Sequence, residues 1–173
     1  MKPSHETIQI QVADMKSVFS AIFLTLILAA CASSPFDTAG GEPAALGPGE
    51  ALAQRDATGV RVVWGGRIVG IVNRDDATEV EILALPLGPG DRPRREADGG
   101  ARFVMLHRGF LDPMTYSPGR YVTALGRFTN IESRPVGAFS LDHPVLVAEQ
   151  IELWPVNPNS SRANLNLGIG VRF

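Results

Sequence analysis

The sequence predicts an all-β fold, and three observations carry that expectation. From Val60 onward, short runs of Val, Ile, Leu and aromatic residues are separated by Gly, Pro, Asp and Asn at the regular spacing of a small barrel or sandwich. The first run contains Gly65, Gly66 and Gly70, and glycines inside a strand mark bulges or sharp coiling, so this strand can bend and serve two sheets. Helical periodicity is nearly absent, with a turn at residues 112–116 the only exception.

The periodicity places strands at residues 60–73, 78–87, 101–108, 121–131 and 144–154. The connections carry turn chemistry: Asn73-Arg74-Asp75-Asp76, then Gly88-Pro89-Gly90-Asp91 through Asp98-Gly99-Gly100, then Ser117-Pro118-Gly119. A glycine-bent first strand, five strands in all, and Val122, Ala124, Gly126 and Phe128 alternating along the fourth predict an OB-like five-stranded barrel or sandwich over residues 60–155. Residues 31–59, rich in Ala, Gly and Pro and without apolar periodicity, read as a flexible tether.

Residues 1–30 read as a secretory signal, which needs a positive start, an apolar core of roughly 7–15 residues and small residues at the cut. Met15-Lys16, the run from Val18 to Leu28, and Ala29-Ala30 supply these, and the hydrophilic stretch before Met15 points to Met15 as the true start. Leu28-Ala29-Ala30-Cys31 resembles the lipobox of bacterial lipoproteins, which implies cleavage between Ala30 and Cys31 and lipidation of Cys31, the one cysteine of the chain. The apolar run is shorter than the ~20 residues of a membrane-spanning helix, so the anchor is lipid. A short buried helix with a core cysteine is opposed by Pro35, Gly40, Gly41, Pro43, Gly47, Pro48 and Gly49 directly after it. Ala32-Ser33 lacks the Asp that retains lipoproteins at the inner membrane in Gram-negative sorting, so the resemblance implies the outer membrane, facing the periplasm.

Both lysines precede the cut, so the mature chain sets Arg alone against Asp and Glu, in a sequence of formal net charge −2. No basic patch suggests nucleic acid. No second cysteine exists to pair in an oxidising compartment, so stability must come from the core.

Val62-Val63-Trp64-Gly65-Gly66-Arg67-Ile68, Gly109-Phe110-Leu111-Asp112-Pro113, Gly119-Arg120-Tyr121-Val122-Thr123-Ala124-Leu125-Gly126, and His143-Pro144-Val145-Leu146-Val147 with Leu153-Trp154 resemble the Slp family of outer-membrane lipoproteins in order and spacing. The resemblance runs from Cys31 to about Pro155 and implies a location and a β domain; it supplies no activity. The tail after Pro155 reads as a departure from the family.

Chemistry-bearing constellations are sparse. Ser140, Asp142 and His143 lie close in sequence, but strand neighbours point to opposite sides, and a Ser-His-acid relay is recognised by converging geometry. His107 and His143 lack metal-ligand spacing, and no cofactor is expected. Gly168 and Gly170 precede no helix and do not form a phosphate loop. Glu149 shares a face with Val147 and Ile151, which places it at a barrel mouth or in a bulge. Asp112, before Pro113, is either a turn former or an interaction residue. Trp64 and Trp154 either stack on a ligand or fill the barrel and its seam. Arg61, Arg67, Arg102, Arg108, Arg120 and Arg127 read as solvent-facing alternates, or as an Arg-lined groove suited to an anionic lipid or glycan.

After the linker that begins at residue 156, Leu165, Leu167, Ile169, Val171 and Phe173 alternate with polar residues and glycine to the last position. This strand either adds to its own sheet or augments that of another outer-membrane protein; alone it cannot cross lipid, because its backbone groups would be unpaired. The overall expectation is a non-enzymatic outer-membrane lipoprotein with a structural or interaction role, the alternative being a lipid- or glycan-binding module on the open face of the barrel.

Overall fold

The computed structural model describes residues 33–156. The signal segment, the expected cut at Ala30 and Cys31, and the expected terminal strand bearing Leu165, Leu167, Ile169, Val171 and Phe173 lie outside the described residues. A short helix, α1 (Pro48–Ala53), precedes five strands: β1 (Arg61–Asn73), β2 (Ala77–Ala84), β3 (Arg102–Arg108), β4 (Tyr121–Val136) and β5 (Phe139–Leu153).

The strands form one sheet in the order β1-β2-β3-β5-β4 that closes because β1 pairs antiparallel with both β2 and β4. Only β3 and β5 run parallel, from Val104 opposite Val145 to Leu106 opposite Val147. This is the OB-like five-stranded arrangement expected from the glycine-bent first strand. Strict alternation on β2 turns Thr78, Val80, Ile82 and Ala84 inward and Glu79, Glu81 and Leu83 outward.

The interior is filled by aromatic rings. Trp64 packs edge-on to Phe103 with centroids 5.3 Å apart and lies tilted against Phe128 at 5.8 Å. Ile68, Ile82, Met105, Val122 and Leu146 complete the layer, all buried. Each such side chain contributes about 1.5–3 kcal/mol on burial, enough in sum to fold a domain without a disulfide.

Gly66 and Gly126 are required where strands cross closely. A Cβ on Gly66 would overlap the Leu83 carbonyl oxygen, and one on Gly126 would overlap that of Val147. The bend in β1 therefore depends on backbone contact between neighbouring strands. Register breaks after Ile68 in β1, and between Leu125 and Gly126 on β4 opposite Gln150 and Ala148 on β5. The second break makes Glu149 the extra residue of a bulge, which resolves its parity in favour of the bulge.

Two expectations need correction. The β4–β5 hairpin is longer than the apolar pattern suggested, extending to Val136 and starting again at Phe139 around Gly137. Its outer half mixes Ile131, Val136, Phe139 and Leu141 with charged residues, serines and Pro135, so no clean apolar alternation marks it. The segment expected as a flexible tether is packed from residue 34 onward. Phe36 and Ala51 are buried, Ala44 forms a bridge with Val62, and Leu46 accepts a 2.6 Å hydrogen bond from Trp64 Nε1. Within it α1 has local signals in Pro48 at its first turn and Glu50, whose Oε2 accepts from Gly47 N at 2.8 Å.

Candidate functional site

The outward faces of the barrel are mostly covered by its own chain. On one side, the strap of residues 34–46 crosses β1, β4 and β5. Arg61 holds it: Nε donates to Glu149 Oε2 at 2.8 Å, Nη1 to the Gly41 carbonyl at 2.9 Å and Nη2 to the Asp37 carbonyl at 3.2 Å. Gln150 adds two bonds to the Asp37 backbone, accepting from its N–H at 3.0 Å and donating to its carbonyl at 3.1 Å. On the other side, the hairpin arm reaches across the outward face of β2 and β3. Arg134 Nη1 meets Glu79 Oε2 at 2.8 Å, and His143 Nε2 lies 3.5 Å from Glu81 Oε1. Val104, outward by parity, is buried there.

Burial tends to raise the Glu79 pKa, but the hydrogen bonds and charges of Arg134 and Arg74 outweigh it and hold the carboxyl below its ordinary value. Arg134 also bridges to Glu132 at 2.6 Å, so Arg74, Glu79, Arg134 and Glu132 form a four-residue ion network that fastens the arm. The hairpin arm thus covers part of the surface expected to stand open for a lipid or glycan, beside a cavity lined by Leu83, Arg102, Leu141 and Asp142.

The residues singled out for chemistry do not converge. Ser140 Oγ pairs with Ser133 Oγ at 2.8 Å, Asp142 with Arg55 at 2.7 Å, and His143 Nδ1 with the Leu141 carbonyl at 2.9 Å. His143 Nε2 is buried without a hydrogen-bond partner, 3.5 Å from Glu81 Oε1. Among the described residues, no group of three or more His, Cys, Asp and Glu is placed to hold a metal ion.

Trp64, offered as an interaction residue, is a core residue because its β1 position points into the barrel. Trp154 follows β5 on the outside, where its Nε1 donates to Thr123 Oγ1 at 2.8 Å and Arg92 stacks over its ring at 4.6 Å. The two tryptophans do not form a stacking pair. Arg61, Arg102 and Arg127 do point outward, but each is ion-paired: Arg61 and Arg127 with Glu149, Arg102 with Glu81.

Asp112 organises the loop between β3 and β4. Its carboxylate accepts from Thr115 Oγ1 at 2.7 Å, Met114 N at 3.1 Å and Thr115 N at 3.2 Å, and its carbonyl accepts from Tyr116 N at 2.9 Å. These bonds, led by the Thr115 hydroxyl, lower its pKa. The loop is fastened at its start, where Gly109 N donates to the Asp76 carbonyl at 2.9 Å and Leu111 N to Thr78 Oγ1 at 3.0 Å. Leu111 is buried, and Tyr116 packs half-buried beside Glu152; burial first, and the Glu152 charge second, raise the Tyr116 pKa against a smaller opposing effect of Arg120. Arg120 closes the loop onto β5, donating to the Thr115 and Trp154 carbonyls at 3.0 and 3.2 Å.

The consequence is that Phe110 and Met114 project from a fixed loop, 71% and 84% exposed. Phe139 is 76% exposed at the hairpin tip, at the opposite end of β5. Sequence reasoning missed these three as surface features; the signal available was a large apolar residue inside a Gly- and Pro-bounded turn.

The chain matches the outer membrane lipoprotein Slp family over residues 28–167. It is 30% identical to outer membrane protein Slp of Escherichia coli (strain K12) over 60% of this chain and 56% of that protein. It is 28% identical to the uncharacterized lipoprotein YeaY of the same organism over 81% of this chain and 72% of that one. The match to Slp, like that to a Haemophilus influenzae protein, spans only about half the relative's length. Among solved structures, a small single-stranded DNA-binding protein from Streptomyces coelicolor covers 54% of this chain and 93% of its own at 17% identity and a TM-score of 0.37, a likeness too slight to bear on function. The family match begins at the first residue of the lipobox-like tetrapeptide and continues past Pro155 to Leu167, so the linker is not a departure from the family; only residues 168–173 fall beyond it. With the match covering most of its length, this chain belongs to the Slp family of outer membrane lipoproteins.

Proposed function

We propose that this protein is anchored in the outer membrane by lipid on Cys31, faces the periplasm, and acts by contact with the envelope rather than by catalysis. The observation that carries this reading is the state of the barrel. Its interior is filled by Trp64, Phe103 and Phe128, and its β2–β3 face lies under its own hairpin, fastened by Arg134 and Glu79. A barrel filled in this way is a rigid body that offers exposed apolar side chains, Phe110, Met114 and Phe139 the most exposed among the described residues, to a neighbour. A lipid or glycan module would need the face that the hairpin occupies. The alternation of apolar residues from Leu165 to Phe173 suits a second contact element that would pair with the sheet of an outer-membrane protein.

The test is Cys31→Ser in cells given a labelled fatty acid, followed by membrane fractionation. The wild-type protein should carry label and sediment with outer membranes, and the variant should do neither. Label retained by Cys31→Ser removes the anchor from the account.

A further inference from the structure

If Cys31 carries the lipid, as proposed above, the packing of residues 34–46 changes what the anchor does. An unstructured tether would leave the barrel free to tumble above the membrane. Here Asp37 is already bonded to Gln150 on β5 and to Arg61 on β1. The chain from Cys31 to Asp37 can span at most about 20 Å. The anchor therefore holds one chosen side of a rigid body close to the bilayer.

Two sets of exposed apolar residues compete for that side. Gln150 stands on the outer face of β5, and Glu152, two positions along and roughly 7 Å away at the strand rise, faces Tyr116 of the β3–β4 loop. Phe139 lies at the other end of the same strand, about 36 Å from Gln150 by the same rise if the strand were straight. The strap thus meets the barrel beside the loop that bears Phe110 and Met114, and far from the hairpin tip along the strand.

That loop has the make-up of a membrane-surface element. Its two apolar tips project from a turn fixed by Asp112, whose carboxylate is directed into the turn itself. Arginines flank it on the β4 and β5 side: Arg120 on the Thr115 carbonyl, Arg95 over the Tyr121 ring at 4.6 Å, and Arg92 over Trp154. Long cationic side chains lying on aromatic rings at the edge of an apolar projection suit the phosphate layer of a bilayer. We infer that the loop of residues 109–119 is a second membrane contact, its Phe110 and Met114 side chains inserted into the phospholipid interface of the same leaflet that holds the Cys31 lipid.

The experiment uses the lipidated full-length mature protein reconstituted into vesicles of phosphatidylethanolamine and phosphatidylglycerol. Because lipidation consumes the Cys31 thiol, Met114→Cys and Phe139→Cys each introduce a single site for an environment-sensitive fluorophore. The dye at position 114 should shift to the blue and be quenched by interfacially brominated lipid severalfold more than the dye at position 139. Protein that floats with the vesicles yet shows equal or absent quenching at 114 overturns the loop contact and leaves the anchor standing. Protein that does not float at all overturns the anchor, and the loop contact with it.

Discussion

Arg61 and Glu149 meet at 2.8 Å on the outside of the barrel, where Glu149 is the surplus residue of a β-bulge. The bulge leaves Val147, opposite Arg127, on the outer face and turns Ile151, opposite Ala124, to the inner one. On that face Glu149 fixes a guanidinium whose remaining nitrogens hold the carbonyls of Asp37 and Gly41. A defect in strand pairing thus becomes the fastening of the segment nearest the expected anchor.

Replacing Arg61 by Ala should release that strap while leaving the filled barrel intact. The side chain is largely covered and makes three hydrogen bonds, so about 1–3 kcal/mol of local stability is at stake. Limited proteolysis should show new cleavage around residues 37–45 in Arg61→Ala, with the melting temperature lowered by only a few degrees. Unchanged resistance in that segment would mean Phe36 and Gln150 hold the strap without help.

Gly66→Val should be among the most damaging single changes in β1, because the new side chain collides with the Leu83 backbone. Forced strand separation costs on the order of 3 kcal/mol or more. Gly49→Val, at a position with nothing within 4 Å, serves as the control and should be close to silent. Equal thermal melts for the two variants would remove the close crossing from the account.

How much of this was legible in the sequence follows from which signals are local. The glycine triplet of β1, the alternation of β2 and β4 and the Asp112 turn all act through near neighbours, and they gave the five strands and their order of appearance. The packed strap was not legible, because what orders it is Arg61, Trp64 and Gln150, each far along the chain. Composition alone makes such an Ala-, Gly- and Pro-rich stretch look free. The hairpin arm was missed for a related reason: Arg134, Glu79 and Glu132 hold it through ion pairs and Ser133 through a hydroxyl bond to Ser140, while its apolar residues are too scattered among polar ones to read as a strand. Trp64, read as either a ligand-stacking ring or a filler of the barrel, is sent inward by the strand's parity and fills it.

The arm should loosen in acid. The Glu79 carboxyl is held below its ordinary value in the folded state, so its contribution is present above that value, near 4.5, and is lost as pH falls through the lower folded one. Hydrogen exchange at residues 132–143 should therefore quicken as pH drops below about 4.5, after correction for intrinsic rates. Glu79→Gln should exchange faster at neutral pH and show a flatter dependence on acid. An identical pH profile in the two proteins would place the fastening elsewhere.

Asp112→Ala should free the β3–β4 loop without unfolding the barrel, since the carboxylate bonds only within its own turn. Amide exchange at Met114 and Thr115 should rise severalfold as their bonds to the carboxylate are lost. Asp112→Asn, which keeps an acceptor oxygen, should recover part of the protection; no difference between the two variants would show that Tyr116 and Leu111 alone hold the loop.

The most direct measurement for the account as a whole is the mass of the N-terminal peptide of the protein isolated from outer membranes. The expected result is a first residue of Cys31 bearing a diacylglyceryl thioether and an amide-linked acyl chain, followed by Ala32 and Ser33. A mature chain that begins elsewhere, or an unmodified Cys31, would contradict it.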